Sequence, residues 1–194
     1  MPRDDAITLR RSADVKQMKV YCDTNTLAPN IRDPACLPEL EALKRLRALQ
    51  EAGAVVLLRS RAVLAELEKT PTPEQREKLR ADYELLEHIL KDEKLLGFNT
   101  QYDQYGGFIS SPMVADVQDE KLCSEIYEKL KQRDPAALWD ARHIAQAISN
   151  GCDVFLTRDI STIIKPIGQW LERQFPPLKV RLPSQLVAEI ERGC

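Results

Sequence analysis

Three short apolar runs constrain this chain most: Val20-Tyr21-Cys22, Ala54-Val55-Val56-Leu57-Leu58 and Val154-Phe155-Leu156. None alternates with polar residues, as a half-exposed strand would, and none is long enough for a helix. Such runs are the pattern of strands buried on both faces. Segments of helical period separate them, and Lys179–Leu182 supplies a last short strand. The expected fold is α/β, a three-layer sandwich in which a parallel sheet of about five strands is covered by helices on both faces. Ligands of such sheets gather at the C-terminal ends of the strands.

The helical segments carry their own punctuation. Leu37, Leu40, Leu43, Leu46 and Leu49 mark an amphipathic helix that stops at Gly53. Ser60 stands where it can cap the next helix, which ends before Pro71. Pro73 opens a longer helix with Leu79, Tyr83, Leu86 and Leu90 on one face, and residues 97–112 then form a glycine- and tyrosine-rich excursion. A helix is expected near Val114–Lys131. The Asp134-Pro135 pair, an N-cap followed by an N1 proline, opens another that runs to Asn150, with Gly151 just beyond its end. Short helical pieces are expected to split around Pro166 and Gly168, and Ser184 to cap the closing helix. Residues 1–17 have no period and read as a loose leader. Residues 18–194 read as a single domain with an elaborated helical middle at about 73–134.

Composition excludes several classes. Lys and Arg number 28 against 30 Asp and Glu, so a broadly basic nucleic-acid coat is ruled out. No apolar run approaches the ~18 residues of a membrane helix, and the first 17 residues lack the apolar core of a signal peptide. Five cysteines without C-x-x-C spacing, beside only two histidines, argue for reduced thiols in a cytoplasmic protein and against a zinc centre.

Four carboxylates fall where this architecture would collect them. Asp23 and Asp159 follow strand ends, and Glu66 and Asp140 lie on helices among apolar neighbours. Any one of them can be explained by a structural ion pair, with Arg61 and Arg142 the nearby candidates. Together, four converging like charges require a cation, and hard oxygen donors select Mg²⁺ or Mn²⁺. That donor set suits metal-assisted hydrolysis of a phosphodiester.

The same residues resemble the PIN-domain nucleases. Val20-Tyr21-Cys22-Asp23-Thr24-Asn25 is similar to the family's opening D-x-[NST] motif, and Glu66, closing Ser60 to Glu66, to its second acid. The segment Asp140 to Asp159, with Ala147, Gly151 and Val154-Phe155-Leu156-Thr157-Arg158-Asp159, resembles the closing D…hxxA…G…hhTxD pattern. The resemblance covers Met18 to about Glu68 and Pro135 to about Leu186. It implies strand order 3-2-1-4-5, with Asp23, Asp140 and Asp159 near a Mg²⁺ or Mn²⁺ and Glu66 acting directly or through water. It further implies that Asn25 orients Asp23 or contacts phosphate and that Thr157 supports the site. Ser161 and Thr162 stand where many members carry another acid or Asn. The activity implied is that of an endoribonuclease on RNA. VapC-like members are toxins held by an antitoxin, and homodimers are common.

Other residues were weighed against plainer roles. Arg59, Arg61 and Arg158 lie near strand ends and can contact phosphates; Lys165 reads as a solvated rim charge. Asp153, at a strand start, suits a turn. His143 reads as structural, as do Trp139 and Trp170. Lys44, Arg45 and Arg47 alternate with acids on a helix surface. Tyr102, Tyr105 and Phe108 suit base stacking as well as they suit packing of the middle segment. Two rival functions stand beside the nuclease. One is a non-catalytic RNA-binding or scaffold PIN domain, disfavoured because all four positions are acidic. The other is a haloacid-dehalogenase-type phosphatase, for which Asp23-Thr24-Asn25-Thr26 lacks the second acid of the nucleophile loop.

Overall fold

A computed structural model of the chain describes residues 17–27, 37–67, 70–88, 117–134 and 137–193. The expected leader, the excursion with Tyr102, Tyr105 and Phe108, Leu90, Pro135 and the Arg61 side chain lie outside the described residues.

Four strands of three to five residues pair in parallel: β1 (Met18–Cys22), β2 (Val55–Arg59), β4 (Val154–Leu156) and β5 (Lys179–Arg181). β3 (Glu87–His88) adds a two-residue parallel pairing to β2. The order across the sheet is β3-β2-β1-β4-β5. Val20, Tyr21 and Cys22 are successive residues of β1 and therefore point to alternate faces, yet all are buried. Both faces of the central strand are thus covered, as the unbroken apolar runs predict.

Among the described residues, eight α-helices accompany the strands: α1 (Thr24–Leu27), α2 (Leu37–Glu51), α3 (Arg61–Leu67), α4 (Pro73–Glu84), α5 (Val117–Leu130), α6 (Leu138–Ser149), α7 (Gln169–Gln174) and α8 (Pro183–Gly193). The leucine spacing of α2 works as read: Leu46 is buried in the core, while Lys44 and Arg45 pair on the surface with Glu41 and Glu191. Gly53 follows with φ of +75°, which a side chain with a Cβ adopts only at a cost. Gly151 does the same after α6, with φ of +61°.

The local expectations fail in five places, each for an identifiable reason. The helix opened by Pro73 ends at Glu84 rather than reaching Leu90. Leu85 closes it with bonds to Asp82 and Tyr83 carbonyls, and the chain then turns into β3 beside β2. α6 begins at Leu138, not at the Asp134-Pro135 pair; the Asp134 carbonyl accepts from Ala137 N–H in a turn before the helix. Ser60 was expected to cap α3, but its hydroxyl meets the Tyr21 hydroxyl at 2.6 Å. The helix after Asp159 is not split at Pro166. A π-helix, Ile160–Gly168, runs through the proline, and the stretch divides only after Gly168, where α7 begins at Gln169. Ser184 lies within α8 and bonds to Glu39 of α2, while Gln185 reaches back to the Leu182 N–H as a capping side chain.

From β1 the chain moves outward to β2 through α2, whereas β4 and β5 lie on β1's other side. The C-terminal ends of β1 and β4 therefore flank the point where the strand order reverses, the position at which parallel sheets build their sites.

Candidate metal centre

Asp23 and Thr157 leave β1 and β4 side by side. The register Cys22↔Leu156 brings the two exits together, and Asp23 N–H continues the ladder to the Leu156 carbonyl at 3.0 Å. Asp23 is almost fully buried, and its carboxylate is held on three sides. Thr24 N–H donates to Oδ1 at 2.7 Å; the Thr157 hydroxyl and Asn25 Nδ2 donate to Oδ2 at 2.7 and 2.8 Å. Asn25 also donates to Thr157 Oγ1 and accepts from Arg158 N–H through its own oxygen. The expected orienting role of Asn25 is therefore visible in its bonds.

Asp159 stands three residues past β4. Its Oδ1 accepts from Thr162 N–H at 2.7 Å and from the Ser161 hydroxyl at 3.1 Å, and its own N–H donates to Thr157 Oγ1. Ser161 and Thr162 thus hold the acid in place, Thr162 through its backbone. Glu66, near the end of α3, accepts from the Thr24 hydroxyl and meets His143 Nε2 at 3.0 Å. One carboxylate oxygen each of Asp23 and Glu66 and one ring nitrogen of His143 lie within 4.8 Å of one another.

Asp140 completes the group from the first turn of α6, where the helix dipole favours a negative charge. Among the described residues no hydrogen bond or ion pair holds its carboxyl. Arg142, its expected structural partner, instead lies over the Trp139 ring at 5.3 Å. The Asp140 carboxyl is pushed up to about 7 by partial burial first, then by the charges of Asp23, Glu66 and Asp159, against the pull of His143. Burial likewise raises Asp23, with His143 and Thr157 opposing it. The four acids singled out from the sequence are thus within electrostatic reach of one another.

The donor set fits a hard divalent cation. It offers oxygen ligands in excess, carries a strained surplus of negative charge and leaves the Asp140 carboxyl unpartnered, which are the conditions that Mg²⁺ or Mn²⁺ would relieve. Among the described residues, the donor atoms of Asp23, Glu66 and His143 lie close enough together to share an ion, and Asp140 and Asp159 add carboxylate charge beside them.

The arginines divide. Arg59 is committed elsewhere: it donates to the Tyr83 carbonyl, pairs with Glu84 and lies 4.0 Å above the Tyr83 ring. These contacts anchor β2 to α4. Arg158, beside Asp159, has a buried Nη1 without a partner among the described residues. Asp153 accepts from Lys19 N–H across the opposite end of the sheet, in the turn role expected of it.

Sequence reasoning missed the polar layer beneath the acids. Tyr21, Ser60, His143 and Gln146 are all fully buried and joined by hydrogen bonds. Two signals were available. Tyr21 shares a strand face with Asp23 by alternation, and Asp140, His143 and Gln146 recur every third residue on α6. No protein-family model matches this chain, and no curated protein matches it.

Proposed function

We propose that this chain is a PIN-like, Mg²⁺- or Mn²⁺-dependent endoribonuclease. The observation that carries the reading is the Asp140 carboxyl, which has no partner among the described residues and feels the charges of three further acids drawn from distant parts of the chain. The order β3-β2-β1-β4-β5 supports it, since the PIN resemblance implies that arrangement. So does the anchoring of Asp23 by Asn25 and Thr157, roles that the resemblance also implies.

A divalent cation, when bound, supplies a Lewis acid that acidifies water and offsets charge on a phosphodiester. The chain's own residues do the rest. Thr157, Asn25 and the Thr24 N–H fix the Asp23 carboxylate, so that it needs little reorganisation on binding. Asp159 is held in the same way by Ser161 and the Thr162 N–H. Asp140, tied down by nothing among the described residues, keeps its oxygens for the cation. Arg158 brings a positive charge beside the acids, suited to a substrate phosphate. Position 25 holds an amide that is bound to Asp23 and Thr157, which leaves a phosphatase loop without its leaving-group acid.

The proposed setting is cytoplasmic, with RNA as substrate and a homodimer as the working form; an antitoxin partner belongs to the same proposal. The test is cleavage of a labelled single-stranded RNA and its DNA counterpart in Mg²⁺ or Mn²⁺, with and without EDTA, by wild type and Asp140→Asn. Metal-dependent RNA cleavage lost in the variant supports the reading. Equal activity in all conditions rules it out.

A further inference from the structure

Beneath the carboxylates runs a chain of buried side chains that the four-acid reading does not use. The Tyr21 hydroxyl meets Ser60 Oγ at 2.6 Å, His143 Nδ1 at 2.8 Å and Gln146 Oε1 at 3.2 Å. The other ring nitrogen, His143 Nε2, meets Glu66 Oε2 at 3.0 Å. His143 has no solvent exposure, and its ring is tilted against the Tyr21 ring with centroids 6.0 Å apart. Tyr21 is itself stacked on Phe155 of the neighbouring strand, with ring centroids 5.7 Å apart. The imidazole is therefore held from behind by a side chain that cannot move without moving the centre of the sheet.

The chemistry of the partners fixes one hydrogen. An ionised carboxylate only accepts, so the atom facing Glu66 must be Nε2–H. Nδ1 faces a hydroxyl that can donate or accept, so this holds in either state of Nδ1. Glu66 has a long side chain near the end of a seven-residue helix, and its position depends on what grips its carboxylate. Two of its grips are Thr24, the residue after Asp23, and His143, one helical turn after Asp140.

We propose that His143 is a positioning residue: its Nε2–H, seated by the Tyr21 phenol, fixes the Glu66 carboxylate among the other three acids so that a divalent cation meets a preformed set. This rests on the nuclease reading and deepens it. Groups that orient ligands from behind in this way typically change metal affinity by ~10–100-fold when removed.

The experiment is a Mn²⁺ titration of the full chain followed by electron paramagnetic resonance of the free ion, which needs no turnover. An asparagine amide reaches about as far as Nδ1, and a glutamine amide about as far as Nε2. His143→Gln is therefore expected to keep the bond to Glu66 and bind Mn²⁺ close to wild type, whereas His143→Asn weakens binding ~10-fold or more. Tyr21→Phe keeps the ring stacked on Phe155 but loses the seat of the imidazole, and its affinity should fall between the two. Circular dichroism and cooperative unfolding check that each variant is folded, and Tyr21→Phe carries the test if His143→Asn is not. Equal affinities of the Asn and Gln variants, or a wild-type affinity for Tyr21→Phe, would overturn the inference while leaving the nuclease reading intact. A ¹⁴N coupling to bound Mn²⁺ would overturn it by making His143 a direct ligand. A wild-type chain that binds no Mn²⁺ would overturn both.

Discussion

The Thr157 hydroxyl donates to Asp23 Oδ2 at 2.7 Å across 134 positions of sequence. The same oxygen accepts from Asn25 Nδ2 and from Asp159 N–H, so one buried hydroxyl joins the exits of β1 and β4. Thr157→Val keeps the shape and removes the donor and acceptor together. It leaves Asn25 and Asp159 with donors unmet in a buried setting, a loss of about 1–3 kcal/mol. Urea unfolding of the metal-free protein should show that drop. Mn²⁺ affinity should fall with it, because Asp23 loses one of its two shortest anchors. A valine variant of unchanged stability would show that the hydroxyl is not the joint described.

Asp140→Asn should separate the charge of the site from its fold. The Asp140 carboxyl titrates at about 7 in the folded chain against 3.8 for a free aspartate. Between those values the unfolded chain has lost its proton and the folded chain keeps it. Metal-free stability due to this group therefore falls as pH rises from about 4 to about 7 and is level above. The asparagine variant lacks that slope. Its melting temperature in EDTA should gain on wild type across the window and hold the difference at higher pH, while metal-dependent cleavage is lost. The raised Asp23 acts in the same direction and remains in both proteins; because Asp140 is coupled to Asp23 and His143, the difference curve reports Asp140 together with that coupling. A constant offset from pH 4 to pH 8 would contradict the assignment.

The α/β class and the identity of the acids were legible because both rest on local patterns. Unbroken apolar runs mark β1, β2 and β4; Asp23 follows the first directly and Asp159 stands three residues past the third. β3 was not legible: Glu87 and His88 are polar, and only the neighbouring β2 makes them a strand. Ser60 and Ser184 were misread for a related reason. Each has the chemistry of a cap, but tertiary partners, Tyr21 and Glu39, claim the hydroxyls. His143 reads as structural from the sequence because metal-activated water needs no separate base. Its link to Glu66 depends on α3 and α6 meeting, which spacing along one helix does not encode.

Metal removal provides a reading of the site independent of turnover. A cation that binds only the folded chain stabilises it by about 2.7 kcal/mol at a hundred times its Kd. Mn²⁺ should therefore raise the melting temperature, and EDTA should reverse the rise. The gain should be larger at pH 8 than at pH 6, because at pH 6 the cation must first displace the proton from Asp140. Differential scanning fluorimetry at both pH values measures this directly. An equal gain at both, or the same gain in Asp140→Asn, would place the cation elsewhere.

Arg181 supplies the control, since its side chain ties down the β5 edge of the sheet without entering the acid group. Its guanidinium ties β5 to α7 through Glu172 and to α8 through Glu189. The side chain is only 19% exposed, so Arg181→Met leaves two acids facing each other in a partly buried setting. The expected loss is about 1–3 kcal/mol in urea unfolding. The backbone carbonyl that accepts from Thr157 N–H is kept by any substitution, so the strand register behind the metal ligands should persist. Mn²⁺ affinity and cleavage per folded molecule should then match wild type. If affinity falls as far as it does in Thr157→Val, the β5 edge and the acid group are coupled, and stability alone does not separate them.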